Sequence, residues 1–264
     1  MNLRSYLFSI KQYLLNRDAC VQLKKYRNIH KGERCFIIGT GPSLTVDDLE
    51  LLKDEYTFAS NRIFEIYPRT QWRPTYYMNQ DFKLIEKFAD EICALDARAI
   101  FLPVDVRADY MPQPIRDQLA TIPQLQLFVL RAKEFYPGDA DFSEKLHHYM
   151  GQGFTVTYGA IQMARYMGFS EVYLLGIDHN YSISQDEHGN LVVNQGVKDY
   201  FQGSTASNTG INLPRVVETT RAYMTARKYA DRQKDFTVYN ATRGGKLEAF
   251  PRVKLEDVLG KKER

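Results

Sequence analysis

Gly39-Thr40-Gly41-Pro42-Ser43 stands between a short apolar run, Cys35 to Ile38, and a helix-forming stretch with Asp47 and Asp48 near its start. A strand that turns through glycines into a helix aims unpaired backbone N–H groups and the positive end of the helix dipole at one spot. Phosphate binds such a spot, and glycines let the backbone approach it closely. Leu44 stands where the third glycine of the dinucleotide fingerprint belongs, and the next apolar run closes on Ser60-Asn61 rather than on an acid. The turn therefore does not read as an ordinary NAD site. The plainer alternative is a tight turn needed only for packing.

Three polar residues, Asn61, Asp81 and Asp178, follow predicted strands at their C-terminal ends. An asparagine there can read a ribose or a base, and an aspartate can accept from a sugar hydroxyl or hold a divalent metal. Each is also what a strand end or helix cap favours on local grounds. His179 follows Asp178 directly and is the first choice as general base; His188 lies further along a polar loop. Asp139-Ala140-Asp141 has the Asp-x-Asp form of metal-dependent sugar transferases, but it sits in a loop and reads as chance. Arg243-Gly244-Gly245-Lys246 can clamp a phosphate or carboxylate, or is an exposed basic turn. No nucleophile elbow, P-loop or HExxH motif is present, and no metal-ligand set is assigned.

The elements that must position these residues alternate. Strands are expected at 35–38, 56–60, 75–78, 99–102, 125–130, 171–175 and 236–240, with helices at 45–52, 157–167 (stopped by Gly168) and 214–228. Alternation of this kind predicts an α/β doubly wound, mostly parallel sheet with helices on both faces. Parallel order brings Gly39–Ser43, Asn61, Asp81 and Asp178 to one edge, where such sheets bind ligands. Residues 103–123 resist assignment. Residues 179–213 form a polar, glycine-bearing loop long enough to be a lid. Residues 31–260 are thus read as one nucleotide-binding domain, preceded by a helical segment over 1–30.

That segment, residues 2–27, reads as a basic amphipathic helix broken near Asn16. Leu3, Leu7, Ile10, Tyr13 and Leu14 fall at helical spacing, with Arg4, Lys11, Arg17, Lys24 and Lys25 on other faces. It is either a peripheral membrane or partner helix or, more simply, one packed on the domain's edge with a solvated charged face. The chain as a whole has 264 residues and a formal charge of +3, too mild a balance to argue for nucleic acid. No run of 18 apolar residues occurs, and the start lacks a signal peptide's apolar stretch. Three scattered cysteines suit a reducing compartment. The expected location is the cytoplasm, or the inner face of the membrane.

Phe36-Ile37-Ile38-Gly39-Thr40-Gly41-Pro42-Ser43-Leu44, Ser60-Asn61-Arg62, and Arg73-Pro74-Thr75-Tyr76-Tyr77 with Asp81 resemble blocks of a known family. Gly153-Phe154-Thr155-Val156-Thr157, Tyr173-Leu174-Leu175-Gly176-Ile177-Asp178, and Tyr239-Asn240-Ala241-Thr242 with Phe250-Pro251-Arg252 continue the series. The family is Rossmann-like, bacterial and archaeal, and named after archaeal 6-hydroxymethylpterin diphosphokinase (MptE-like). The same blocks resemble bacterial sialyltransferases that use CMP-sugars. This resemblance implies a Rossmann-like, sialyltransferase-like fold with Gly39, Gly41, Pro42, Ser43, Asn61 and Thr155 at the nucleotide. Thr40 replaces the sialyltransferases' asparagine, and Thr157 a glycine. Their catalytic histidine sits in a Tyr-x-Gly-His setting; here Tyr200-Phe201-Gln202-Gly203 carries none, so His179 or His188 would take its place.

The function so implied is a nucleotide-sugar-dependent glycosyltransferase of bacterial surface polysaccharide, capsule or lipopolysaccharide. Its donor is a nucleotide-sugar, a CMP-sugar by resemblance, with phosphates on Gly39–Ser43. Asn61 and Asp81 hold nucleoside or sugar, Asp178 and His179 are catalytic, and a saccharide is the acceptor. Two alternatives stay open. One is a diphosphokinase acting on a pterin-like alcohol, with Mg²⁺ held by Asp81 and Asp178. The other is a non-catalytic nucleotide-binding domain.

Overall fold

The computed structural model describes residues 7, 10, 11, 13–131, 138–186, 188–204 and 212–260. Its strands, in chain order, are β1 (Arg34–Ile38), β2 (Tyr56–Ser60), β3 (Tyr76–Met78), β4 (Ala99–Pro103), β5 (Leu125–Phe128) and β6 (Leu130–Arg131). They continue with β7 (Met150–Gly151), β8 (Glu171–Leu175), β9 (Ile183–Gln185), β10 (Leu191–Val193) and β11 (Thr237–Asn240). The helices are α1 (Arg17–Leu23), α2 (Val46–Glu50), α3 (Phe82–Lys87), α4 (Ala89–Cys93), α5 (Gln113–Ala120), α6 (Val156–Met167), α7 (Val216–Ala230) and α8 (Leu255–Leu259).

Seven strands form one wholly parallel sheet in the order β11-β8-β1-β2-β3-β4-β5. Both faces are covered, which is why the strand sequences are continuous apolar runs instead of alternating ones. Successive side chains of β1 still diverge: Cys35 and Ile37 enter the core under α6, Phe36 and Ile38 the core on the opposite face. Tyr76 and Met78 against Tyr77 in β3, and Phe101 against Ile100 in β4, divide in the same way. This is the α/β doubly wound, Rossmann-like architecture expected.

Four local readings change. The run 125–130 is two strands, because β6 leaves the main sheet after Phe128 and pairs in parallel with β7. Residues 103–123 contain a short 3₁₀ turn, Val104–Arg107, and α5. Pro214 precedes α7 instead of starting it, and its carbonyl accepts from the Gln185 amide. The loop 179–213 carries an antiparallel hairpin, β9 with β10. Gly168 does end α6, in the left-handed region at φ 92°.

The edge of the sheet at β5 is closed by α1. Ala19 and Cys20 enter one core and Leu23 and Tyr26 the other. For Arg17–Leu23, packing on the domain's edge is what occurs, and Asn16 precedes the helix with non-helical backbone where the break was expected. Leu3 and Arg4 lie outside the described residues.

Candidate functional site

The order of the sheet reverses between β1 and β8: β2 to β5 lie beyond β1, and β11 lies beyond β8. Loops leaving two such strands part in opposite directions and leave a crevice. A cleft of about 670 Å³ opens there. Gly39, Thr40 and Gly41 reach it from β1, Asn61 from β2, Asp81 from beyond β3, Asp178 and His179 from β8, and Thr155 from the start of α6. Pro42 and Ser43 do not line it; Ser43 reaches it through Asp178.

The glycine turn is built differently from its sequence reading. Its amides do not point free into the cleft. Gly39 N–H donates to the Leu175 carbonyl at 2.8 Å and Gly41 N–H to the Gly176 carbonyl at 3.0 Å. Ser43 donates to Asp178 through its hydroxyl at 2.8 Å and, more weakly, its amide at 3.4 Å. The helix that follows, α2, closes its own N-terminus with a Thr45–Asp48 capping box. The glycines are needed for close approach to protein, not to an anion: a Cβ on Gly41 would lie 2.0 Å from Asp178 Oδ2 and 2.7 Å from the Gly176 carbonyl oxygen. The same turn closes from the β8 side, where Gly176 takes φ 69°.

Asp178 is thereby held at the junction of the two loops. It is 9% exposed, and burial pushes its carboxyl above the ordinary range while the Ser43 hydrogen bonds act the other way. His179 beside it adopts φ 50°, a conformation costly for a residue with a Cβ. Its Nε2 lies 2.7 Å from the Thr220 hydroxyl, which itself donates to the Val216 carbonyl at 2.8 Å. Since that hydroxyl hydrogen is spent, the pattern assigns the imidazole hydrogen to Nε2 and leaves Nδ1 bare. Nδ1 is closed to solvent and has no partner among the described residues, and burial pushes the imidazole down to about 4. As placed, His179 is a neutral, fixed ring with its free nitrogen enclosed, which leaves the Asp178 carboxylate as the proton acceptor of the pair.

A chain of hydrogen bonds ties the next two residues together. Asn61, at φ 52°, has its carbonyl held by the Tyr77 hydroxyl at 2.8 Å, and the Asn79 amide donates to that hydroxyl at 3.0 Å. Asn79 Oδ1 accepts from the Asp81 amide at 2.9 Å. The Asn61 side-chain amide makes no hydrogen bond among the described residues and lines the cleft. Asp81 is the N-cap of α3, accepting from the Lys83 and Leu84 amides, and also from Asn212 at 3.0 Å. Burial raises its carboxyl above the ordinary range.

Beyond Thr155, which the resemblance put at the nucleotide, several lining residues were not legible in the sequence. The twelve-residue α6 points its N-terminus at the cleft through Thr155, Val156 and Thr157, so the dipole supplies partial positive charge there. Lys83 adds an ammonium without an ion pair among the described residues. Phe154, at φ 54°, carries the Arg215 guanidinium 4.2 Å over its ring, and Arg215 pairs with the buried Glu218. The positive φ values at Asn61, Phe154 and His179 cluster on this one cleft, the usual place for backbone strain that a fold retains. Nothing in their residue types announces it.

The segment after His179 lies over the cleft through Tyr181, Gln185, Asp199 and Tyr200. It is anchored by Phe201, 2% exposed in the second core, whose amide donates to the Thr40 carbonyl at 3.0 Å. Residues 187 and 205–211 of the expected lid lie outside the described residues. Other candidates stand elsewhere. Asp139 pairs with Lys228 and Asp141 with Arg131, each at 3.0 Å, so they do not converge. His188 is exposed in the hairpin turn. Arg243 clamps a carboxylate, but it is that of Asp48. No group of three His, Cys, Asp or Glu among the described residues is placed to hold a metal. No helix of the described residues is long and apolar enough to cross a membrane.

Two solved structures are similar to this chain. A glycosyltransferase structure, MAf from Magnetospirillum magneticum AMB-1, superposes with a TM-score of 0.50 at 16% identity, over 94% of this chain and 40% of that one. This chain thus spans well under half of that protein's length. The sialyltransferase CstII from Campylobacter jejuni, solved with cytidine-5'-monophosphate, gives a TM-score of 0.42 at 15% identity, over 83% of this chain and 84% of that one. At such identities the first likeness is one of fold. No curated protein matches the chain. A family model matches residues 9–184, two thirds of the chain, and the protein belongs to the family described as 6-hydroxymethylpterin diphosphokinase MptE-like.

Proposed function

We propose that the protein is a nucleotide-sugar-dependent glycosyltransferase of bacterial surface polysaccharide synthesis. The observation that carries the reading is the meeting, in one cleft, of the α6 N-terminus, the unpaired Asn61 amide and the buried Asp178. A volume of about 670 Å³ suits a nucleotide-sized ligand. Phosphate charge is matched by the α6 dipole and Lys83, in place of the occupied amides of Gly39, Gly41 and Ser43. Gly39, Thr40 and Gly41 form the floor, and Asn61 reads the nucleoside. Thr155 is the first hydroxyl at the helix end.

In this reading the acceptor saccharide's hydroxyl gives its proton to Asp178 as its oxygen attacks the donor sugar's anomeric carbon. The nucleotide leaves with the electrons of the broken glycosidic bond, its phosphate charge held at α6. A carboxylate raised by burial is a better base near neutral pH than an ordinary one. Ser43 fixes its orientation. His179, with Nδ1 enclosed, supports the Asp178 backbone and does not itself reach the acceptor.

The family's description favours a second reading, a Mg²⁺-dependent diphosphokinase acting on a pterin-like alcohol. Asp81 and Asp178 would be its ligands, but each already serves the protein's own donors, Asp81 the start of α3 and Asp178 the Ser43 hydroxyl. We therefore place no metal there. Thermal shift with CMP-, UDP-, GDP- and ADP-sugars, beside ATP with and without Mg²⁺, separates the readings. Stabilisation by one sugar nucleotide without Mg²⁺, with turnover lost in Asp178→Asn but binding retained, is the expected result. Stabilisation by ATP only with Mg²⁺ would refute it in favour of the kinase. No response to any nucleotide would refute both.

A further inference from the structure

The positive charge of the chain is unevenly placed. Residues 1–31 hold seven lysines and arginines and one acid, Asp18, while the remaining residues hold 28 basic and 31 acidic side chains. The whole positive excess therefore belongs to the first segment, and Asp18 is matched by Arg107 at 2.9 Å. Lys11, Lys24, Lys25 and Arg27 are exposed and form no ion pair among the described residues. Lys145 joins them beside the His147–His148 pair, whose rings lie 4.5 Å apart. Burial first holds both imidazoles below their ordinary range; His148 and then Lys24, Arg27 and Lys145 add to this at His147, and Lys145 and Lys24 at His148.

The same segment is apolar on its outer side. Residues 7, 10, 11 and 13–15 are helical, ahead of the break at Asn16. Tyr13 turns inward, half-buried against the second core and 5.0 Å from the His148 ring. Leu7, Ile10 and Leu14, at i, i+3 and i+7, share a face and are 55%, 37% and 63% exposed. Leu15 and Val21 are exposed as well. Five of the twelve large exposed apolar residues among those described fall within these fifteen positions; isolated ones need no account, but a contiguous group does. The segment also has a definite place. Asp18 is held beyond the C-terminal end of β4 by Arg107, while Tyr26 packs on Phe101 within β4. α1 therefore descends from the end of the sheet where the cleft opens, and the apolar stripe begins at that end.

We propose that the stripe, with the exposed cations that follow it along α1, docks the protein on an anionic phospholipid surface by the β5 edge of the sheet. An apolar face with exposed lysines and arginines along the same flank buries into the interface and meets headgroup charge at once. A protein partner would need a matching apolar groove ringed by acids. The anionic bilayer supplies both properties without any shape. The inference rests on the N-terminal segment alone and stands whatever ligand the cleft binds.

The test is sedimentation of the full chain with vesicles of phosphatidylcholine alone and of phosphatidylcholine mixed with phosphatidylglycerol. Binding is expected to the mixed vesicles only and to weaken with added salt. Leu7→Asp with Leu14→Asp should abolish it, and Lys24→Glu with Lys25→Glu should lower it at least tenfold, each charge near the surface being worth about fivefold. All four positions are exposed, and unchanged melting temperatures would confirm intact folding. Equal binding to both vesicle types, or retention by the leucine double variant, would overturn the proposal. So would a wild-type dimer that the leucine variant dissociates, with no vesicle binding, since the stripe would then belong to a second copy of the chain.

Discussion

Acidification should expose the state of His179. In the folded protein burial holds its imidazole near 4, whereas in the unfolded chain it titrates near 6.5. As pH falls the unfolded chain therefore takes up this proton first. Stability is lost from about 6.5 downward, and the loss is complete near 4, where the folded ring also charges. At about 1.4 kcal/mol per pH unit the gap amounts to roughly 3 kcal/mol. The comparison variant is His179→Asn, because asparagine adopts the positive φ that His179 holds and removes only the titrating ring. Urea unfolding of both proteins between pH 7 and pH 4 can be followed by fluorescence of Trp72, the single tryptophan, 1% exposed. His30 and His147, also held low mainly by burial, shift both curves alike and cancel in the difference. The wild type should lose about 3 kcal/mol more than the variant across this window. Parallel losses would show that Nδ1 is open to water, and would restore His179 as a base.

Gly41→Ala should destabilise the protein by about 1–3 kcal/mol, since its Cβ has no room against Asp178 and the Gly176 carbonyl; an unchanged urea midpoint would refute the close packing of the two turns. Asp81→Ala should cost about 1 kcal/mol through loss of the α3 cap, and Asp81→Asn much less, because its amide oxygen can still accept from Lys83 and Leu84; equal losses in urea titration would deny the capping role. Phe201→Ala should cost roughly 3–5 kcal/mol and speed hydrogen exchange over residues 180–204, where Phe201 is the apolar anchor. Exchange confined to the substituted residue would show that the segment is held by its hairpin instead.

The parallel sheet was legible because its strands are short apolar runs broken by glycine and polar residues, a local pattern that burial on both faces demands. Gly39, Asn61, Asp81 and Asp178 were recognisable for a related reason: parallel order alone carries every strand's C-terminal end to one edge. A helical segment over 2–27 with a break near Asn16 was expected as well, but its spacing rested on Leu3 to Leu14, whereas the helix that packs on the sheet is Arg17–Leu23. What those residues do at the edge could not be read this way. Whether a glycine turn offers its amides to a ligand depends on what lies beside it, and here that is the Gly176–Asp178 loop, more than 130 residues away in the chain. The buried, neutral state of His179 depends on Thr220 in a helix that begins at Val216. Arg215 and Lys83 enter the cleft for the same reason. Composition and periodicity report how one segment meets water, and so they determined the layers of the fold and the edge where a site must lie. Donor, acceptor and charge in the cleft come from pairs distant in sequence, and only the tertiary structure decided them.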